Sequence, residues 1–335
     1  MRALKYSDVS LLPNYSECTS RSMCSTETIL PDDKEAIESS NAMTFKLPVM
    51  PSNMKAVVDE RQCKWLSENG YLYSMHRFDI DIQNFIENAN RESWRVVSVS
   101  LGVKPQDREV VENIRASGAR VDIITIDIAH GHCSLMRDML AFVRKNLGDE
   151  VCIIAGNVAT PPAVVSLRSW GADYVKVGIG QGSPCTTKDK TGFTYPMFSC
   201  VQECSKCYEA LEEFNSGSRI PIIADGGIRC NGDIAKALVA GADLVMAGGL
   251  FACCSDSPSA SIEIDGVMHK AYYGSASFEN KKTRTHIEGT LKNVPSCGFT
   301  LEMKLLEIEE DLKSAISYAG GSDLSAFRHV HHIKV

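Results

Sequence analysis

The chain has 335 residues, long enough for two ordinary domains or for one parallel-barrel domain of about 250 residues with additions. With 44% hydrophobic and 23% charged residues, and no uncharged apolar run approaching about 18 residues, it reads as a globular protein that does not span a membrane. A net charge of -7, from 35 basic and 42 acidic residues, gives no broadly basic face for a nucleic-acid backbone and favours a small-molecule ligand.

The opening segment, MRALKYSDVSLLPNYSE, mixes charges with short apolar stretches and lacks the continuous apolar core of a secretory signal, so a cytoplasmic location is expected. Eight short runs rich in Val, Ile and Leu follow: LPVMPSN (47–53), YLYSMHR (71–77), WRVVSVSLG (94–102), VDIITIDIAH (121–130), VCIIAGNVA (151–159), YVKVGIG (174–180), IPIIADGG (220–227) and LVMAGGL (244–250). Each is apolar enough to be buried on both faces, as parallel strands are. They start 23 to 30 residues apart, with one interval of 46, which suits a strand plus a helix per unit and exceeds hairpin spacing. Helical patterns lie between them, among them DERQCKWLSENG, DREVVENIRASG and GDIAKALVAGA, the last opening on Gly232 and Asp233 and closing at Gly241.

The expected fold is therefore α/β: a single (β/α)8 TIM barrel spanning 1–335, with an N-terminal extension and no linker-like boundary. Two places break its rhythm, the connection 181–219 and the segment 255–300, and both are expected above the barrel mouth. The second contains IEIDGVMHKAYYG, a hairpin turning at Asp265 and Gly266, then the polar stretch FENKKTRTHIEG (278–289), expected to be a mobile flap. The tail EMKLLEIEEDLKSAISYAGG reads as a terminal helix stopped by a Gly pair, and HVHHIKV as a solvated end.

Thirteen cysteines without a secretory signal point to a reducing compartment and to mostly buried thiols. Cys200, Cys204 and Cys207 include a CxxC pair, but no second pair follows at zinc-site spacing, so helix packing is the favoured reading.

A β/α barrel assembles its active site at the C-terminal strand ends. These offer Ser52 and Asn53, His76 and Arg77, Asp127, Gly156 and Asn157, Gly178 to Cys185, Asp225 to Gly227, and Gly248 with Gly249. Glycines on the last three strands admit backbone N–H groups close to a phosphate; tight turns are the rival reading. Asp225 suits ribose hydroxyls or, alternatively, a structural cap. Cys185, in the glycine-rich loop GIGQGSPCTT, suits a nucleophile that changes position, although composition leaves it one candidate among thirteen.

The segment VKVGIGQGSPCTT resembles the signature of the IMP dehydrogenase and GMP reductase family: a basic residue, GxGxGS, a variable residue, then CxT. YSDVSLLPNYS, KLPVMPSNM, IDIAHGH, AGNVAT, IPIIADGGIR and YYGSAS carry the resemblance along nearly the whole chain. It implies that Cys185 forms a thioimidate with purine C2, that Ser183, Gly226, Gly227, Gly248 and Gly249 help hold the phosphate, and that Asp225 holds the ribose. Gly274, Ser275, Ala276, Glu288 and Gly289 would approach the base. For a nicotinamide cofactor it points to Arg77, Asp127, Ala129 and Asn157, with Ser20 and Arg21 reaching a neighbouring subunit's cofactor. By charge, Arg77 suits a 2′-phosphate or a rim salt bridge. A monovalent cation such as K+ on the carbonyls of Gly180, Gly182 and Cys185, and a homotetramer, complete what the resemblance implies.

Within that family the chain looks like the reducing branch. Only residues 78–93 separate the second and third expected strands, leaving no room for an inserted regulatory domain, and no Arg-Tyr flap pair follows the barrel. Instead TRTHIEGT supplies Glu288, the glutamate that works with Thr187 in that branch. The implied activity is NADPH-dependent reductive deamination of GMP to IMP and ammonia. Two other readings stand beside it: an IMP dehydrogenase without its regulatory insertion, and a catalytically silent barrel that binds purine nucleotides.

Overall fold

The computed structural model describes residues 2–31, 42–207, 219–282, 285 and 287–335. Three short strands come first: β1 (Val9–Leu11), β2 (Thr28–Leu30) and β3 (Met43–Phe45). The next seven are β4 (Val49–Pro51), β5 (Ser98–Leu101), β6 (Ile123–Asp127), β7 (Cys152–Val158), β8 (Tyr174–Val177), β9 (Ile222–Asp225) and β10 (Leu244–Ala247). They form one parallel sheet in the order β4-β10-β9-β8-β7-β6-β5, so the first and last apolar runs lie side by side. Nearly every residue of these strands is buried, because helices cover the sheet.

The second apolar run departs from expectation. In place of a full strand over 71–77 there is a single parallel bridge between Met75 and Val99. Met75 N–H donates to the Ser98 carbonyl at 3.0 Å, and Ser100 N–H donates to the Met75 carbonyl at 2.8 Å. The rest of the segment is held by hydroxyls. Tyr73 Oη donates to the Val96 carbonyl at 2.6 Å, and Ser74 Oγ lies 2.9 Å from Ser100 Oγ and 3.0 Å from Thr125 Oγ1. Asn53 Nδ2 donates to the same Ser100 Oγ at 2.9 Å, tying the end of β4 to β5 by a side chain.

Helices alternate with the strands and use local signals present in the sequence. Glu60–Glu68 starts where the Asp59 carboxylate accepts from Gln62 N at 2.8 Å. Pro105–Ser117 has proline in its first turn and stops at Gly118, whose φ of +65° suits a residue without Cβ. Ser134–Leu147 buries Met136, Met139, Leu140 and Val143, the i, i+3, i+4, i+7 stripe of an amphipathic helix. Each such side chain contributes about 1.5–3 kcal/mol of transfer free energy before conformational entropy is counted. Met197–Ser205 buries Cys200 and Cys204 fully, with Cys207 just beyond it, which is a packing role.

The hairpin after the sheet forms as expected: β11 (Ser261–Ile264) and β12 (Val267–Tyr272) turn at Asp265 and Gly266, both at positive φ. A third strand, β13 (Lys292–Pro295), pairs with β12 and is too short and polar to stand out in the sequence. Buried Lys270 anchors this small sheet, donating to the Ser257 carbonyl at 2.8 Å and Ser261 Oγ at 3.1 Å. Of the expected flap, residues 283, 284 and 286 lie outside the described residues, as do 208–218 of the long connection. The terminal helix, Leu301–Ala319, ends at Gly320 with φ +87°. The last segment corrects a reading: HVHHIKV is not merely solvated, since β14 (His332–Lys334) pairs antiparallel with β1, and the His332 ring meets Phe198 edge-on at 4.6 Å. β1 is an open edge to which three backbone residues add, whatever their polar side chains.

Candidate active site

The loop after β8 is shaped by glycine where nothing larger fits. Gly178, at φ +144°, sits so close to the Asp225 carbonyl that a Cβ there would overlap it. Cys185 N–H then donates to the Gly182 carbonyl at 3.0 Å, closing the turn that presents the thiol. The segment 287–290 returns over this loop. Cys185 and Gly289 form an antiparallel bridge; Thr186 N–H donates to the Glu288 carbonyl and Thr290 N–H to the Pro184 carbonyl, both at 2.9 Å. Glu288 N–H in turn donates to the Ala276 carbonyl at 3.0 Å, so YYGSAS and the loop are linked through one strand-like segment. Lys190 Nζ donates to the Ile287 carbonyl.

This backbone framework aligns three side chains. The half-buried Cys185 thiol donates to Thr187 Oγ1 at 3.2 Å, and Thr187 Oγ1 donates to Glu288 Oε2 at 2.7 Å. The result is a thiol–hydroxyl–carboxylate chain spanning two segments a hundred residues apart in sequence. Such a chain gives a proton a route between a carboxylate and the space beside the sulfur. Among the described residues, Thr186 Oγ1 and Ser277 Oγ are buried beside it without hydrogen-bond partners, unusual for hydroxyls in a folded interior.

A second polar cluster lies at the ends of β6, β7, β8 and β9. Lys176 Nζ donates to Asp127 Oδ1 at 2.6 Å and Asp225 Oδ2 at 2.9 Å, while Asn157 Nδ2 donates to Asp225 Oδ2 and to the Gly178 carbonyl, each at 2.8 Å. Burial opposes ionisation of Asp127, but the Lys176 ammonium, Arg77 and Asn53 outweigh it and hold the carboxyl below its usual value. Arg77 donates to the Asp127 carbonyl at 3.2 Å and keeps a buried Nε without a partner among the described residues. Nearby, burial and the Lys55 ammonium push His76 down to about 4, so its imidazole is neutral at pH 7. Lys176 enters the sequence reading only as the basic residue that opens the family signature, with no role given to it; a further signal is that it is a lone cation inside an otherwise apolar strand, YVKV.

Most of the remaining sequence-derived residues converge here. A Cβ built on Gly226 would lie 3.3 Å from Gly182 N, and one on Gly274 would lie 3.8 Å from Pro184 Cγ. Gly248 is packed against Tyr272 Oη, so the YYGSAS segment reaches the end of β10 as well. Gly289 stacks on Ala276 and Ser277, and the Ser275 carbonyl accepts from Asn280 Nδ2 at 3.4 Å. Ser183 Oγ accepts from Lys292 Nζ at 3.4 Å, Gly227 abuts Met197, and Gly249 opens the short helix Gly249–Ala252. Ala129 is exposed beyond β6. Ser20 and Arg21 are not brought into this group: Ser20 bonds Ser22, and Arg21 bonds Ser314 on the terminal helix at 3.0 Å.

Comparison with known proteins agrees in extent with the sequence resemblance. The family model for the IMP dehydrogenase / GMP reductase domain matches residues 3–334. The chain is similar to the GMP reductase of Leptothrix cholodnii, at 44% identity over 99% of this chain and 96% of that one. It is 42% identical to the GMP reductases of Paracidovorax citrulli and Mesoplasma florum, covering 99% of this chain and 96% and 98% of theirs.

Proposed function

Since the chain belongs to the IMP dehydrogenase / GMP reductase family, we propose that it is an oxidoreductase of the reducing branch, converting GMP to IMP and ammonia with NADPH. The observation that carries this reading is the hydrogen-bonded chain from Cys185 through Thr187 to Glu288. A carboxylate delivered to the thiol through a hydroxyl suits a reaction in which the leaving group is an amine that must be protonated.

In this reading Cys185 adds as thiolate to C2 of the purine, and the 2-amino group leaves as ammonia. As the sulfur adds, the thiol proton passes through Thr187 to Glu288 and returns by the same route to the departing amine, which needs that one proton to leave as ammonia; the product is a thioimidate on Cys185. NADPH, when bound, would supply the hydride that C2 of this adduct requires; Cys185 is then the leaving group, its C–S bond breaking to return the thiolate and free IMP. Ser183, Gly226, Gly227, Gly248 and Gly249 hold the phosphate through backbone and hydroxyl donors, Asp225 holds the ribose, and Gly274, Ser275, Ala276 and Gly289 frame the base. The orphan hydroxyls of Thr186 and Ser277 support a polar ligand edge at that place.

Arg77, Asp127, Ala129 and Asn157 would hold the cofactor. Their fit rests on the unpartnered buried Nε of Arg77 and on the ionised Asp127. The carbonyls of Gly180, Gly182 and Cys185 suit an undemanding monovalent cation; Gly182 already accepts one N–H, which leaves its second lone pair. We read the sheet together with 71–77 as a closed (β/α)8 barrel, and 1–335 as one catalytic domain. The protein would act as a cytoplasmic homotetramer in which Ser20 and Arg21 serve a neighbour's cofactor.

The test is turnover of purified protein with GMP and NADPH, following cofactor absorbance and ammonia together. Equimolar loss of NADPH and release of ammonia is expected. XMP formation from IMP and NAD+ without GMP turnover would transfer the assignment to the dehydrogenase branch, and nucleotide binding without either reaction would make the barrel a sensor.

A further inference from the structure

Lys176 is 2% exposed, in the middle of β8, between two valines that are fully buried. A buried ammonium costs several kcal/mol in desolvation, and replacing such ion pairs by apolar residues is often neutral or stabilising, so stability alone gives no reason for a lysine here. Its partners come from two different strands: Asp127 of β6 at 2.6 Å and Asp225 of β9 at 2.9 Å. To reach β6 the side chain must pass β7, and the β7 residue in register with both Asp127 and Lys176 is Gly156. A Cβ on Gly156 would lie 2.5 Å from Lys176 Cβ, so the crossing exists only because β7 has no side chain at that point. Asn157, the next residue, adds its 2.8 Å bond to Asp225.

The side chains of Asp127 and Asp225 are 14% and 19% exposed, open to ligands at the sheet's C-terminal end where Lys176 is not. We infer that Lys176 is a positioning residue that couples the two ligand sites: one ammonium fixes both the carboxylate facing the purine nucleotide and the carboxylate facing the dinucleotide. This rests on the proposed reading of Asp127 and Asp225. Ordering of either carboxylate by its ligand then orders the other, and neither ligand has to touch Lys176. Burial alone would lower its pKa, but the two carboxylates outweigh burial and hold it above the ordinary lysine value.

The experiment uses the full chain carrying Cys185→Ala, which cannot form the adduct, so that GMP and NADPH bind at equilibrium without turnover. GMP is titrated with and without saturating NADPH, and the reverse. We expect each ligand to tighten the other by the same factor, about fivefold or more, as linkage requires. Adding Lys176→Met should bring both factors to within about twofold of unity, while each ligand alone still binds; Lys176→Arg, which keeps a cation that can bridge two carboxylates, should recover coupling. If Lys176→Met does not fold, as read by circular dichroism, Lys176→Gln takes its place as the neutral variant. In the enzyme with Cys185 intact, the neutral variant should raise KM for both ligands, where a merely structural defect would lower the active fraction and leave KM alone. Unchanged coupling in a folded neutral variant, or no coupling in the parent, overturns this inference and leaves the proposed function standing. A parent that binds no GMP overturns both.

Discussion

Cys185 and Cys204 are the same residue in opposite surroundings. Cys204 lies on the helix Met197–Ser205, fully buried, its thiol pushed well up by the hydrogen bond shared with Cys200 and by burial. Neighbouring Cys200 is also fully buried and donates to the Ala159 carbonyl at 3.5 Å. Cys185 is half-exposed on a glycine-built loop and is wired to a carboxylate through Thr187. A thiol's chemistry is therefore set by access and by a proton route, and neither is a property of cysteine itself. Both cysteines lie in or beside the same connection, 181–219, so their place in the strand–helix rhythm does not separate them.

The largest effect that could break this contrast is loss of the sulfur. Cys185→Ala should lower turnover of GMP by at least about a thousandfold while GMP binding, measured calorimetrically, persists. Removing the carboxylate comes next: Glu288→Gln should slow ammonia release by roughly 10²–10⁴-fold with the fold unchanged, as expected for loss of a positioned acid–base group. Thiol alkylation at pH 8 sharpens the comparison. Peptide mapping should find half-buried Cys185 and exposed Cys230 modified before Cys204, which is fully buried and whose raised pKa lowers its thiolate fraction. The smallest catalytic effect is expected at the helix. Cys204→Ser should cost about 1–3 kcal/mol of stability in urea unfolding by burying a hydroxyl, yet leave kcat within about twofold.

How far the sequence carries can be judged from particular elements. Seven of the eight apolar runs become sheet strands because burial on both faces leaves a continuous apolar signature. Segment 71–77 has the same signature but keeps one bridge, since Tyr73 and Ser74 satisfy their neighbours through hydroxyls that a hydropathy pattern does not register. The terminal β14 is invisible for a related reason: it is held by backbone pairing with β1 and not by apolar side chains. In the site, Cys185, Thr187 and Glu288 were legible through a motif, and their alignment at 3.2 Å and 2.7 Å needed the return of 287–290 over the loop. Lys176 was visible only as the basic residue of that motif, because its meaning lies in the strands it joins: Asp127 and Asp225 are 49 residues from it in each direction.

The most direct measurement of the central claim is mass spectrometry of the protein quenched in acid after mixing with GMP under limiting NADPH. A covalent adduct equal in mass to GMP less ammonia is expected on the peptide carrying Cys185. No adduct there during turnover, or the same adduct on Cys204 or another cysteine, would contradict it.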